Sequence, residues 1–233
     1  DLVEATLNQL KDNPQVPKNG SLQKLSEKNN SYRQKAEKGL LAEEDFKQTA
    51  SILARLGSGS ATRSIYGPMG QWGEHPDYRG SSDEFAIPYT DIHTVFTDFC
   101  DPILLVHRGQ KTVSSTIGHG LLKDNPYATS RFVQAQENMI AMKSILKSGD
   151  LDAFIALVES EALTLHSLMM SSNPYFILMK PNTLKIIEAI WAKREKDAVK
   201  WCFTLDAGAN VHFLYPQADQ AAAKAFIEEE LAQ

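Results

Sequence analysis

The stretch Arg55-Leu56-Gly57-Ser58-Gly59-Ser60-Ala61-Thr62-Arg63-Ser64 combines alternating glycines, hydroxyls and two guanidinium groups. Glycine admits positive φ and lets a backbone approach a ligand closely. Ser58, Gly59 and Ser60 can present hydroxyls and N–H groups as a concave anion site. Arg63 adds a planar fork that fits a carboxylate or phosphate. A flexible connector is the competing reading of a bare Gly-Ser-Gly-Ser. The helical pattern running into the loop and the arginine after it argue for a site.

Asp206 is the second candidate. It ends an apolar run and opens Asp206-Ala207-Gly208-Ala209-Asn210, where a carboxylate can be held while a substrate nears the glycine backbone. On local sequence alone the residue reads first as a turn aspartate bonding its own backbone. Ser130 and Arg131 open a helical pattern, so free N–H groups, the helix dipole and a guanidinium would together hold an anion; Thr129 or Ser130 acting only as an N-cap is the alternative. Lys111, Ser114, Ser115 and Thr116 form a further basic, hydroxyl-rich patch, or a solvated strand end. His75, His93, His107, His119, His166 and His212 show no metal-binding spacing. His166 reads as a packed or surface histidine rather than a ligand, and no metal site is assigned to the protein.

These residues must be positioned by a chain of 233 residues with ordinary globular composition, 42% apolar and 23% charged. A net charge of −5 gives no reason to expect nucleic acid, and an anionic ligand must be held by local positive charge. Two cysteines, Cys100 and Cys202, argue against a disulfide framework and for a cytoplasmic location. No apolar run approaches the roughly 20 residues that span a bilayer, and no signal peptide opens the chain. The chain begins at Asp1, so a removed leader or an upstream portion is expected.

Residues 1–11 have the spacing of a short helix. Residues 12–39 read as a linker or mobile segment, with a weak helix near 22–38. A helix is expected from about Leu41 to Gly57, then a strand over Ser64–Trp72 and a surface loop over His75–Phe85. Ile103–Val106 reads as a buried strand, and a hinge is placed near Lys111. Two amphipathic helices follow, one along Phe132, Ala135, Met139, Met142 and Leu146 to Gly149, the other along Leu151, Phe154, Val158, Leu165 and Met169. A third starts at Pro181 with Leu184, Ile187 and Trp191 inward. Val199–Leu205 and Val211–Tyr215 read as strands, and Ala218–Gln233 as a helix.

In this order, Ala54–Ser64, Val113-Ser114-Ser115-Thr116, Thr129-Ser130-Arg131-Phe132 and Phe203–Asn210 resemble the mevalonate diphosphate decarboxylase family of the GHMP kinase superfamily. The resemblance covers about residues 40–216. It implies an α+β fold with two GHMP-type domains, the first incomplete: residues 1–39 without resemblance, 40–111, 112–216, and a terminal helix over 217–233. It implies ATP-dependent conversion of mevalonate diphosphate to isopentenyl diphosphate, with ATP and Mg²⁺ as cofactors and a homodimer as the assembly to test. Arg63 would hold the substrate carboxylate, and Asp206 would face the 3-hydroxyl. Ser58, Ser60 and Gly59 would lie at the phosphates and reacting hydroxyl, with Ser130, Arg131 and Ser114 at the substrate. Catalytic roles fall to Asp206, Arg63 and Ser58.

Two departures stand out. Ala209 occupies a position where the family usually has proline. The family's early strand and its Gly-Leu-x-Ser-Ser phosphate loop are not found, so this stretch alone is expected not to bind ATP in the family's way. A related kinase without decarboxylation and a non-catalytic remnant of the fold are the alternative functions.

Overall fold

A computed structural model describes residues 27, 30, 31, 34, 43–67, 69–109 and 125–231. They fall into two compact units, within Asp1–Thr90 and Asp91–Gln233, each considered by itself. The expected helix over 1–11, most of the 12–39 segment, and Lys111, Ser114, Ser115 and Thr116 with the hinge placed there lie outside the described residues. Within 22–38, Glu27, Asn30, Ser31 and Gln34 are helical and exposed.

The first unit is built on α1, Glu43–Gly57, whose opening Glu43, Glu44 and Asp45 suit the positive end of the helix dipole. A 3-10 helix, Gly59–Ile65, follows directly. The strand expected over 64–72 is confined to β1, Gly70–Trp72, which pairs antiparallel with β2, Ala86–Pro88. A buried hydroxyl pair ties these pieces together. Ser51 Oγ on α1 and Thr62 Oγ1 on the 3-10 helix lie 2.7 Å apart. Thr62 Oγ1 lies 3.0 Å from the Ser51 carbonyl, Ser51 Oγ 2.8 Å from the Thr62 carbonyl, and the β2 amide of Ala86 donates to Ser51 Oγ at 2.9 Å.

The second unit packs helices on an antiparallel sheet. β6, Val211–Pro216, is its centre, with β5, Cys202–Leu205, on one edge. The other edge is β3, Phe99–Cys100, continued in the same register by β4, Ile103–Leu104. Pro102 separates them because it has no N–H to give the ladder, although its carbonyl still accepts from Phe213 N at 3.0 Å. The buried strand expected over 103–106 is therefore two residues of edge strand, with Ile103 and Leu105 51% and 61% exposed.

Alternation along β6 turns Val211, Phe213 and Tyr215 into the core, where they join Trp201, Phe203 and Phe226. Each such ring contributes about 2–3 kcal/mol on burial. α2, Ala128–Ser148, ends at Gly149 with φ +79°, as expected of a left-handed helix stop. Its expected face is only partly covered: Leu146 is buried, Phe132 exposed. α3, Leu151–Met170, starts on an Asp150 cap, whose carboxylate accepts from Ala153 N at 3.0 Å.

α3 is long and apolar enough, by length and composition alone, to cross a membrane, although polar residues interrupt its apolar run. Here it buries Ile155, Glu159, Ala162, His166, Leu168 and Met169. Glu159 accepts from Trp191 Nε1 at 2.8 Å and from Arg194 at 2.7 and 3.0 Å.

α4, Pro181–Asp197, begins at the expected proline, but its inward stripe is Thr183, Ile187 and Ile190. Leu184 and Trp191 are exposed. The stripe is set by Thr183, whose hydroxyl is drawn inward to a backbone carbonyl. The expected terminal helix is a 3-10 turn, Gln217–Asp219, then α5, Gln220–Phe226, and a π turn, Ile227–Leu231.

Candidate functional site

Arg131 is the most informative charged side chain in the second unit. It sits in the first turn of α2, and its backbone N–H donates to the Tyr127 carbonyl at 3.1 Å. Tyr127, rather than Thr129 or Ser130, occupies the cap position, and it makes no side-chain cap bond. The Arg131 side chain is only 11% exposed. Its Nη2 pairs with Glu161 on α3, whose other oxygen accepts from Asn138. Nε and Nη1 are buried without a partner among the described residues. Two buried charged donors left unmade are costly, and an anion is the group that would satisfy both.

Arg131 lines an open cleft of about 600 Å³ together with Tyr127, Ser130, Gln134, Thr164, Ser167, Leu168 and Ser171. The α3 hydroxyls already donate to carbonyls of their own helix: Thr164 to Ser160 at 2.7 Å, Ser167 to Leu163 at 2.9 Å and Ser171 to Leu168 at 3.1 Å. Arg131 is the charged residue of this lining, and the helix end adds its dipole. Sequence reasoning found Ser130 and Arg131 but missed Glu161 and the hydroxyl wall. The signal was present, since positions 164, 167 and 171 fall on one helical face.

Asp206 follows β5 directly and is exposed. Its carboxylate makes no hydrogen bond or ion pair among the described residues, while the backbone around it is tightly held. The Asp206 carbonyl accepts from Gly208 N at 2.7 Å and lies 3.1 Å from His166 Nε2. Thr183 Oγ1 donates to the Ala209 carbonyl at 2.6 Å. Asn210 Oδ1 accepts from Val106 N and His107 N, both at 3.0 Å. Desolvation holds the His166 imidazole below its ordinary pKa of 6.5, against the opposing pull of the Asp206 carbonyl. The ring is thus neutral near pH 7 and donates its Nε2–H. The reading of His166 as a packed histidine holds, but its hold on this turn and that of Thr183 leave no sequence pattern, because their partners are backbone carbonyls.

In the first unit Ser58, Ser60 and Arg63 are exposed, and the Arg63 guanidinium has no partner among the described residues. The segment is helical rather than an open glycine loop: Ala61 N donates to the Ser58 carbonyl at 3.0 Å. Neither Gly57 nor Gly59 has a positive φ. Gly59 is needed for closeness instead, since a Cβ there would meet the Trp72 ring at 3.0 Å. Gly70 plays the same part beneath Arg63, whose carbonyl would lie 3.1 Å from an added Cβ. Among the described residues, no group of three or more His, Cys, Asp or Glu side chains is placed to hold a metal ion.

Comparison with known proteins adds a family. The model of the mevalonate 5-diphosphate decarboxylase C-terminal domain matches residues 102–232. The chain belongs to the mevalonate diphosphate decarboxylase family.

Diphosphomevalonate decarboxylase of Ganoderma lucidum is 28% identical over 182 residues, covering 72% of this chain and 43% of that protein. Phosphomevalonate decarboxylase of Haloferax volcanii is 26% identical over 165 residues, covering 70% and 48%. This chain thus spans about half the length of these decarboxylases. The solved structure of mevalonate diphosphate decarboxylase from Enterococcus faecalis superposes with a TM-score of 0.69 at 25% identity, covering 80% of this chain and 55% of that one. A related decarboxylase structure, MDDEF, is a complex with MVAPP, AMPPCP and magnesium. The mixed helix and sheet observed here is the GHMP-kinase fold of that family.

Proposed function

We propose that this chain carries the substrate-anchoring and hydroxyl-facing parts of an ATP-dependent mevalonate diphosphate decarboxylase. The observation that carries the reading is the Arg131 cleft. Arg131 lines it and keeps two buried guanidinium N–H groups without acceptors among the described residues, in the same unit as Asp206, whose carboxylate has no partner among them. The diphosphate takes Arg131 Nε and Nη1 with Ser130 beside them, and the Glu161 pair keeps the fork aimed. Arg63 holds the substrate carboxylate, with Ser58, Gly59 and Ser60 toward the phosphates.

The reaction converts a poor leaving group into a good one. The 3-hydroxyl oxygen attacks the γ-phosphorus of ATP and ADP departs. Asp206 orients the hydroxyl or takes its proton. The C3–O bond then breaks and phosphate leaves. Positive charge building at C3 is stabilised by the fixed Asp206 carboxylate, while the C1–C2 electron pair becomes the new double bond and CO₂ is released. Mg²⁺ would be held mainly by the ATP phosphates and would neutralise their charge. ATP dependence and two free thiols, Cys100 and Cys202, support a cytoplasmic setting.

The test is turnover by the gene product with ATP and either mevalonate diphosphate or mevalonate monophosphate, following ADP and CO₂ together. The expected result is equal ADP and CO₂ with the diphosphate, and a loss of at least about 100-fold in Asp206→Ala. ADP without CO₂ would make the protein a kinase. Faster turnover of the monophosphate would reassign the substrate to the kind named for the Haloferax relative, and unchanged turnover in Asp206→Ala would remove that residue from the mechanism.

A further inference from the structure

The geometry points to His166 as the positioning residue for Asp206, fixing the carboxylate relative to the Arg131 cleft through a single rigid helix. This rests on the role proposed for Asp206 above.

Among the described residues three side chains hold the 206–210 turn, and they do different things. Asn210 ties the turn to residues 106 and 107. Thr183 ties its far end, at Ala209, to α4. Among the described residues only the His166 side chain bonds the peptide of Asp206 itself, at 3.1 Å, and the residue is 1% exposed. A ring packed this closely has no room to follow a moving turn.

His166 also shares its helix with the cleft wall. Thr164, Ser167 and Leu168 line the space beside Arg131, and Glu161, one turn earlier, grips the guanidinium. One 20-residue helix therefore references both the anion anchor and the reactive carboxylate. A substrate held at its diphosphate end meets a carboxylate whose place is set by the same backbone. Such alignment matters because displacement of a reacting group by about 1 Å can cost 100-fold in rate. Ala209 makes the clamp more important still: a proline there would restrict φ by itself, whereas alanine leaves the turn to be held by its neighbours.

The test compares His166→Gln, which keeps an N–H donor at similar reach, with His166→Met, which fills the space without one. Both are measured in the whole protein with mevalonate diphosphate and ATP. His166→Met should lower kcat by about 10- to 100-fold with KM for the substrate changed less than about threefold, and His166→Gln should recover most of the loss. In the double variant with Asp206→Ala, removing His166 should cost nothing further, since it acts through that carboxylate. Should His166→Met fail to fold, His166→Asn, polar but too short to reach the carbonyl, replaces it with the same expected loss. Unchanged kcat in the donor-less variant, equal loss in the Gln variant, or additive losses with Asp206→Ala would each overturn the positioning role. Full activity in Asp206→Ala alone is the separate outcome that defeats the reading beneath it.

Discussion

At the scale of single residues, the chain separates the groups proposed to do chemistry from the groups that hold them. Asp206 and Arg131 could be singled out from sequence because their surroundings are local: an apolar run ending in a small-residue turn, and a cation at a helix start. His166 could not. One histidine among Leu163, Leu165 and Leu168 looks like any packed ring, and only the fold brings a carbonyl 40 residues away to its Nε2. Its burial carries a pH consequence. Above pH 6.5 the imidazole is neutral in both folded and unfolded chains. Below it the unfolded chain takes up a proton that the buried ring resists, so stability falls as pH falls from 6.5 toward the lowered native value. Urea unfolding between pH 7.5 and about 5 should show a steeper loss in the natural protein than in His166→Gln. Identical slopes would mean that the ring protonates freely when folded.

Elements were legible where their signals are local and ambiguous where they depend on partners. α1, the Gly149 stop and the Pro181 start were all readable from capping and periodicity. The segment after Gly57 was not, because glycine and serine suit a loop and a 3-10 helix alike. The deciding contact, Ser51 on Thr62, joins α1 to that helix through two small hydroxyls indistinguishable from surface serines in sequence. Ile103–Val106 misled for a related reason: apolar side chains do not reveal that Pro102 confines the strand to an edge. Ser51→Ala leaves the buried Ala86 N–H without its acceptor and removes the Ser51 hydroxyl from Thr62, whose own hydroxyl keeps the Ser51 carbonyl. It should destabilise the first unit by about 1–3 kcal/mol, read as a lower denaturation midpoint for probes within residues 43–90. An unchanged midpoint would show that the hydroxyl pair contributes little.

For the whole molecule, the α+β architecture and the family were within reach of the sequence, because four short motifs recur in one order along the chain. Site composition was less accessible. The hydroxyls of α3, Glu161 and the clamps on the 206–210 turn come from helices whose outward pattern is ordinary, and tertiary packing alone gives them a common purpose. The chain spans about half the length of the decarboxylases it matches, so its own contribution is best judged at the ligand. A crystal structure of the protein with mevalonate diphosphate bound tests the account most directly. Diphosphate oxygens should accept from Arg131 Nε and Nη1 while Nη2 stays on Glu161, with the 3-hydroxyl within about 2.6–3.2 Å of an Asp206 carboxylate oxygen. A diphosphate seated away from the Arg131 cleft, or a 3-hydroxyl out of reach of Asp206, would contradict it.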